Sequence, residues 1–337
     1  MKKKVNISDI ARQAGVCIGT VSRVLNNLDR VKPSTRERVL GVIQKTGYRP
    51  SSLGRGLVLG RTHTILLVLP DLADPYCAWL SRIIGHKCRE YGYQLHLGDS
   101  GYDSQTEAAH LKQAHIGSVD GLIISPLPGP ENQALLRDAA KSGLPIVALD
   151  NEIEGVPTCC VRRDDREVGR LGAEYLSAKG HKSVAFVQAH GAFQMVRDRL
   201  AGFEETCGTC GIPAAQRHVI TLPAAVEAYE ATLFEFFQRH PKVTALFAES
   251  ENVALLCINI LLYFGRKIPE EIAVMGVGDT LGKFMTPIPI TTVSLDGDGL
   301  CQPAVVSLLS QIEHPQSRRG KPAQVVLPPF VKSRKSA

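Results

Sequence analysis

Hydrophobic positions in the first fifty residues recur at helical spacing in three short bursts, each bounded by residues that start or stop helices. The first spans Ile7–Ala14, with Asn6 placed to cap it, Asp9 near the positive end of its dipole and Gly15 just beyond. The second spans Ile18–Leu25. The third begins at Pro33, a favoured first-turn residue, carries Val39, Leu40, Val42 and Ile43 inward, and stops at Gly47 before Pro50. After a polar stretch at 60–64 the rhythm changes. Apolar strands at 65–69, 94–97, 121–124, 146–149, 184–187, 245–247 and 272–277 alternate with amphipathic helices at 78–91, 105–116, 166–178, 199–207, 225–239 and 253–264. Such α/β alternation implies parallel sheets flanked by helices. The remaining chain is long for one such sheet, so two similar lobes are expected, with ligands held at the carboxyl ends of strands in the crevice between them.

The 337 residues are 44% hydrophobic and 21% charged, a globular composition. Charge is unevenly placed. Residues 1–61 hold 13 Lys and Arg against Asp9, Asp29 and Glu37, so they carry +10 of a total of +6, and the rest carries −4. A basic head of this kind is the footprint of a polyanion partner. The opening Met-Lys-Lys-Lys-Val-Asn has no apolar segment of the secretory type and no apolar run matches a bilayer span, so a cytoplasmic protein without a membrane partner is expected.

Nine cysteines, odd in number and irregularly spaced, point to reduced thiols. The pair Cys207 and Cys210 lacks both the second ligand pair and the strand-to-helix setting that zinc or redox work needs. No metal-ligand cluster, Gly-x-Ser-x-Gly elbow or Walker loop is present, and His63, His96 and His181 read as structural. Glycine runs at 54–60 and 276–282 are one residue too long for a dinucleotide fingerprint. An enzyme is therefore not expected, and no cofactor.

Residues 7–26 have the pattern of two helices packed across a tight turn. Ala11 is small where the helices cross, Gly15 permits the turn, and Ile10, Val16, Val21 and Val24 form a shared core. That leaves Ile18, Gly19, Thr20, Ser22, Arg23 and Asn26 for the outer face and ends of the second helix. These side chains suit a major groove, where Arg pairs with guanine and small apolar groups meet a thymine methyl. The alternative is an ordinary helical hairpin with a basic rim; turn chemistry, core spacing and charge asymmetry together argue against it.

The stretch from Ile7 to Asn26, ending Thr20-Val21-Ser22-Arg23-Val24-Leu25-Asn26, then Thr35-Arg36-Glu37-Arg38-Val39 and Gly47-Tyr48-Arg49-Pro50, resembles the head of the LacI/GalR (lactose-repressor/galactose-repressor) family. The resemblance continues through Pro70-Asp71-Leu72-Ala73-Asp74-Pro75-Tyr76, residues 119–124, Gly180-His181, Arg199-Leu200-Ala201-Gly202-Phe203 and residues 289–293. It implies an all-α helix-turn-helix head at 1–50, a hinge at 51–61, and a periplasmic-binding-protein-like core of two doubly wound parallel-sheet lobes. The first lobe is expected at 62–161 with 291–327, and the second at 162–290.

By the same resemblance the protein is a transcriptional repressor. It acts as a homodimer on a pseudo-palindromic double-stranded operator, under the control of a carbohydrate-like effector between the lobes. Ile18 and Gly19 fall where members differ in operator choice, Arg23 where a base-contacting Arg is usual, and Cys17 where Ser usually caps the recognition helix. Leu57 matches the hinge leucine that wedges into the minor groove. Gly54 and Gly56 weaken any hinge helix by about 1 kcal/mol each relative to Ala, and a linker that stays flexible is the other reading.

For the effector, the resemblance points to Tyr76, Tyr102, Asp150, Arg197, Arg199 and Ser250, all able to stack, donate or accept. Arg199 reads equally well as a structural ion pair. Pro223, Ser250-Glu251, Gly278 and Leu295 depart from the sugar-binding pattern, so both an apolar platform and paired acceptors are expected to be partly lost. A solute-binding protein of the periplasmic type is the rival from another class, and the basic head and the lack of an export signal argue against it.

Overall fold

The computed structural model describes residues 5–25, 31–48, 61–115, 118–153, 155–156, 158–281, 286–294, 299–315 and 324–337. They belong to two units, Met1–His63 and Thr64–Ala337.

In the first unit, α1 (Ile7–Ala14), α2 (Ile18–Leu25) and α3 (Pro33–Thr46) form at the expected places. A reciprocal cap opens α1: Asp9 N–H donates to Asn6 Oδ1 at 3.0 Å, and Asn6 N–H donates to Asp9 Oδ2 at 3.1 Å. Gly15 then takes φ 63°, a left-handed conformation that only glycine adopts without strain, and the chain turns into α2. Ile10, Ala11, Ala14, Val21, Val24 and Val39 make the buried core, with Val16, Val42 and Ile43 packed against it. Leu40 departs from expectation. It is 47% exposed because a helix turns 100° per residue, and burying Val39 turns its neighbour outward.

The second unit runs β1 (Thr64–Leu69), α4 (Pro75–Glu90), β2 (Gln94–Asp99), α5 (Ser104–His115), β3 (Gly121–Ile124), α6 (Pro130–Lys141), β4 (Ile146–Leu149) and β5 (Cys159–Arg163). It continues with α7 (Asp165–Ala178), β6 (Val184–Gln188), α8 (Gln194–Thr209), β7 (Arg217–Thr221), α9 (Tyr229–Arg239), β8 (Ala245–Ala248), α10 (Glu251–Tyr263) and β9 (Ala273–Val277). It closes with β10 (Thr291–Ser294), α11 (Cys301–Glu313), β11 (Gln324–Leu327) and β12 (Phe330–Lys332).

Two six-stranded sheets result. The first has the order β11-β5-β4-β3-β1-β2 and is parallel throughout; the second, β12-β10-β9-β8-β6-β7, is parallel except where β12 runs against β10. Inner strands such as β1, β3, β4, β8 and β9 are buried along their whole length, as sheets covered on both faces require.

The boundary expected at 291 moves. Residues 291–294 pair with β9 in the second sheet, Thr291 beside Met275, and the chain returns to the first lobe only afterwards, through α11 and β11. The short Thr-Thr-Val-Ser strand is fully buried, which needs a sheet neighbour already in place, and β9 supplies it. The chain end also belongs to the second lobe: Val274 N–H donates to Ser336 O at 2.7 Å and Thr291 N–H to Ser336 Oγ at 2.8 Å.

Helices α7 and α8 touch backbone to backbone. A Cβ on Gly169 would lie 2.0 Å from Arg199 O, and one on Gly202 would lie 2.0 Å from Arg166 O, so only glycine permits the crossing. No helix among the described residues is long and apolar enough to cross a membrane.

Candidate functional site

Each sheet reverses its strand order once: β1 sits between β2 and β3, and β6 between β7 and β8. At such switch points neighbouring loops leave in opposite directions and open a crevice at the carboxyl ends of the strands. The loops after β1 and β3 contribute Pro70, Asp74 and Ser125 to one cleft, and those after β6 and β8 contribute His190, Phe193, Glu249 and Ser250. The enclosed cavity is about 100 Å³. A larger open hollow of about 770 Å³, lined by Lys179, His181, Arg334 and Lys335, lies on the second lobe near the amino ends of β9 and β10, away from either switch point. It has no convergent buried polar groups, so the smaller cleft is the functional candidate.

On the first-lobe wall, Asp74 caps α4 by accepting from Tyr76 N–H at 2.7 Å, and this fixes where the Tyr76 ring begins. Burial lifts the Asp74 carboxyl above its usual range despite those N–H groups. The Tyr76 hydroxyl donates to Asp150 at 2.9 Å, and the Arg163 guanidinium lies 4.9 Å from the Tyr76 ring centre. Burial, then the Asp150 charge, pushes the Tyr76 phenol well above its ordinary pKa, so it stays a donor. Asp150 itself is held at φ 59° and Tyr102 at φ 58°. Left-handed backbone is unusual for a tyrosine, and it recurs where a binding site imposes it.

The second-lobe wall is built on Glu249. This carboxylate is 2% exposed and accepts from the His190 ring at 2.7 Å and from His190 N–H at 3.2 Å. Burial opposes charge on His190, but Glu249, with Asp74 and Asp71 beyond it, outweighs burial and raises the imidazole pKa. Tyr102 of the first lobe stacks on that ring, with centroids 4.6 Å apart and planes at 17°, and Phe193 meets Tyr102 edge-on at 6.2 Å. Ser250 caps α10 through Val253 N–H at 3.1 Å. Glu251 follows, 3% exposed, and its Oε2 accepts from Thr280 N–H and Leu281 N–H, both at 2.7 Å. Polar contacts between the lobes among the described residues include Asn252 Nδ2 to Asp74 Oδ2 at 3.5 Å and Met195 N–H to Asn151 Oδ1 at 3.4 Å.

Five of the six residues singled out from the sequence line this cleft: Tyr76, Tyr102, Asp150, Arg199 and Ser250. The structure does not bring Arg197 there. It is exposed on α8, and its guanidinium donates to Gln194 Oε1 at 2.6 Å and to Ala192 O, because the next inward position on the helix is Arg199. Arg199 makes the structural ion pair, donating to buried Asp165 at 2.7 Å and to Glu249 O at 2.7 Å, and also lines the cleft.

Sequence reasoning missed Asp74, Arg163, His190, Phe193 and Glu249 as cleft residues, and marked Glu251 only as a departure from the sugar-binding pattern. Most of them sit within a few positions of a strand's carboxyl end, and that was the usable signal. The expected loss of an apolar platform is made good by Tyr102, His190 and Phe193 rather than by Pro223, which does not line the cleft. Leu295 lies outside the described residues. All nine cysteines are free. Cys207 is buried in α8, and burial pushes its thiol up to about 12, which leaves it inert.

In the head, Ile18 is 48% exposed, Gly19 and Arg23 are exposed, and Thr20 and Ser22 are half-buried, so one face of α2 is open while Val21 and Val24 face the core. Cys17 takes the capping position with its Sγ 3.2 Å from Thr20 Oγ1, and that hydrogen bond lowers the thiol pKa. Asn26, Leu57 and the hinge glycines lie outside the described residues.

Comparison with known proteins returns two matching families. Residues 6–51 match "Bacterial regulatory proteins, lacI family", and residues 62–322 match "Periplasmic binding proteins and sugar binding domain of LacI family". The chain is 31% identical over 304 residues to the HTH-type transcriptional regulator CelR of Thermobifida fusca, covering 87% of each protein. Among solved structures, a CelR–cellobiose complex is 26% identical with a TM-score of 0.70, over 99% of this chain and 100% of that one. A lac repressor dimer bound to operator and an anti-inducer shares the fold with a TM-score of 0.81 at 24% identity, over 99% of each chain.

Proposed function

The chain belongs to the LacI family of bacterial regulatory proteins, and from that premise we propose that it is a homodimeric repressor in which α2 reads operator bases and the interlobe cleft holds the controlling effector. It is a DNA-binding transcription regulator, not an enzyme. Arg23 is the residue assigned to a guanine edge, with Ile18 and Gly19 setting operator choice and Thr20 and Ser22 at the flanks; Asn26 and Leu57 complete the DNA contacts. The support for Ile18, Gly19 and Arg23 is the open face of α2, which presents them to solvent while Val21 and Val24 hold the helix to its scaffold. A dimer presents two such helices to the two halves of a near-palindrome.

Tyr76, Tyr102, Asp150, Arg199 and Ser250 are the effector residues in this reading, joined by Glu249 and Glu251. The observation that carries it is the meeting of two switch points on one buried cleft into which several polar side chains converge. Its volume of about 100 Å³ is well below the roughly 300–1,000 Å³ of typical ligand pockets, so a ligand enters by parting the lobes. A ligand thereby acquires different affinities for the open and closed cores, which is the condition for shifting operator affinity.

The test is fluorescence anisotropy of full-length protein on its own upstream DNA at fixed salt, with and without a metabolite panel. Arg23→Ala is expected to lose about 1–3 kcal/mol of discrimination at one base pair while leaving non-specific binding nearly unchanged. Binding insensitive both to DNA sequence and to every metabolite removes the reading.

A further inference from the structure

Most charges of the cleft are spent on one another or on fixed donors. Arg199 donates to Asp165 at 2.7 Å, and the His190 ring to Glu249 at 2.7 Å. Asp74 spends its oxygens on the first turn of α4 and on Asn252, and Asp150 accepts from the Tyr76 hydroxyl. Arg163 and Glu251 are left. Neither makes an ion pair among the described residues, and both are more than nine-tenths buried, Arg163 at 7% exposure and Glu251 at 3%.

The two are also opposite in hydrogen-bonding sense. Among the described residues seven buried side-chain nitrogen and oxygen atoms lack a partner, and only two of these belong to residues lining the cleft: Nε of Arg163, a donor, and Oε1 of Glu251, an acceptor. Oε2 of Glu251 takes all of that residue's hydrogen bonds, from the Thr280 and Leu281 turn. A buried polar group without a partner is costly, more so when it is charged, and a ligand that supplies the partner relieves that cost.

They stand on different lobes. Arg163 ends β5 of the first sheet, and Glu251 opens α10 of the second lobe. The Arg163 guanidinium lies 4.9 Å from the Tyr76 ring centre. Burial opposes its charge, but Tyr76, Asp150 and Asp165 outweigh burial, so the group stays a cation. The guanidinium edge made of Nε and a terminal nitrogen presents two parallel N–H groups, which match the two oxygens of a carboxylate. At Oε1 of Glu251 an ammonium supplies the missing donor and the countercharge together.

Resting on the effector reading above, we infer that the controlling ligand is a small zwitterion, whose carboxylate meets the Nε edge of Arg163 and whose ammonium meets Oε1 of Glu251. A neutral ligand leaves both buried charges uncompensated, and a singly charged one leaves one of them. Parting the lobes carries Arg163 and Glu251 away from each other. A ligand that touches both therefore favours the closed core, and that difference in affinity biases operator binding. Tyr102, His190 and Phe193 give the skeleton between the two charges an apolar wall. An amino acid and an amino-sugar acid share this pair of charges, and the experiment tells them apart.

The test is calorimetric titration of the full-length protein, with its operator binding verified in parallel, against two series of probes. On a sugar ring, muramic acid carries both charges, glucosamine only the ammonium, glucuronate only the carboxylate, and glucose neither. On an amino-acid skeleton, phenylalanine carries both, phenethylamine only the ammonium, and phenyllactate only the carboxylate. At least one zwitterion is expected to bind, and loss of either charge to weaken it about ten- to hundredfold, as for a charge-assisted hydrogen bond. The series that shows this names the skeleton. Arg163→Gln is expected to weaken the zwitterion by a similar factor while sparing its ammonium-only relative, and Glu251→Gln to spare the carboxylate-only relative instead. A merely structural role for either residue weakens every probe alike. Should the variants fail to fold, the ranking of probes by wild-type protein still decides.

A neutral or singly charged relative that binds as tightly as its zwitterion overturns the inference. So do folded variants that weaken every probe alike or none, and so does the absence of any response to muramic acid and phenylalanine at about 10 mM. Any of these with operator binding intact leaves the regulator reading standing. Loss of specific operator binding by wild-type protein is instead the failure of that reading.

Discussion

The two walls of the cleft solve the same positioning problem by different means. In the second lobe, α7 and α8 cross at backbone contact through Gly169 and Gly202, and this sets Arg199 against Asp165 and against Glu249 O. Among the described residues of the first lobe no such crossing supports the site. Its groups are held by side-chain hydrogen bonds instead: Tyr76 to Asp150, and deeper in the lobe Glu107 to Asn132 at 2.9 Å and to Leu127 N–H at 3.0 Å. A helix crossing fixed by backbone proximity is sensitive to volume, whereas buried titratable groups are sensitive to pH; the second lobe adds the latter through His190 and Glu249.

The sharpest way to break that contrast is Gly202→Ala. One methyl group must displace Arg166 O from 2.0 Å, so the helices separate and the second lobe loses more than about 4 kcal/mol, read as a collapse of the urea midpoint. A destabilisation below about 1 kcal/mol would mean the crossing has slack.

Next in size is Arg199→Ala, which leaves Asp165 buried without its guanidinium partner and costs about 3–5 kcal/mol. The double replacement Asp165→Leu with Arg199→Met is expected to recover most of that, because it removes both charges while keeping the volume. Equal losses in single and double variants would show that the pair does more than neutralise itself.

The smallest effect sharpens the first-lobe side. Burial raises the Glu107 carboxyl to about 7, with its two hydrogen bonds pulling the other way. The folded protein therefore binds a proton that the unfolded chain has released, and stability is highest below the unfolded value near 4.5 and falls as pH climbs through 7. The expected drop is roughly 2–3 kcal/mol across that window, and Glu107→Gln should flatten it in melts at pH 5 and pH 7.5. A wild-type profile already flat would remove Glu107 from the account.

Legibility in the sequence followed the range of the interactions involved. The head was read almost completely, because caps, turn glycine and 3.6-residue spacing are all local, and only Leu40 was turned the wrong way. In the core, long apolar strands were placed, while β5, β7, β10, β11 and β12 were not. Their residues are short runs or mixed with Arg, Thr and Gln, and become strands only when a neighbour pairs with them.

The same limit governed the cleft. Tyr76 and Asp150 are separated by 74 positions and meet through topology, yet the family likeness pointed to both. Glu249 had no such pointer, and Glu251 was marked only as a departure from the sugar-binding pattern. Their importance comes from burial and from which oxygen is left over, neither of which is written in residue type. Arg197 and Arg199 show the inverse case, two arginines on one helix of which geometry admits only the second.

One consequence lies in the order of synthesis. Helix α11 and strand β11 complete the first lobe, yet they come after the entire second lobe in the chain. Until they emerge from the ribosome, the outer edge of β5 has no strand to pair with, and the apolar surface that Cys301, Val305, Leu308 and Ile312 later cover stands bare. More than 130 residues separate β5 from α11, and at roughly 5–20 residues per second that interval lasts many seconds. The nascent first lobe is then an open sheet with a sticky face, and chaperone demand during translation follows from the interleaved path of the chain.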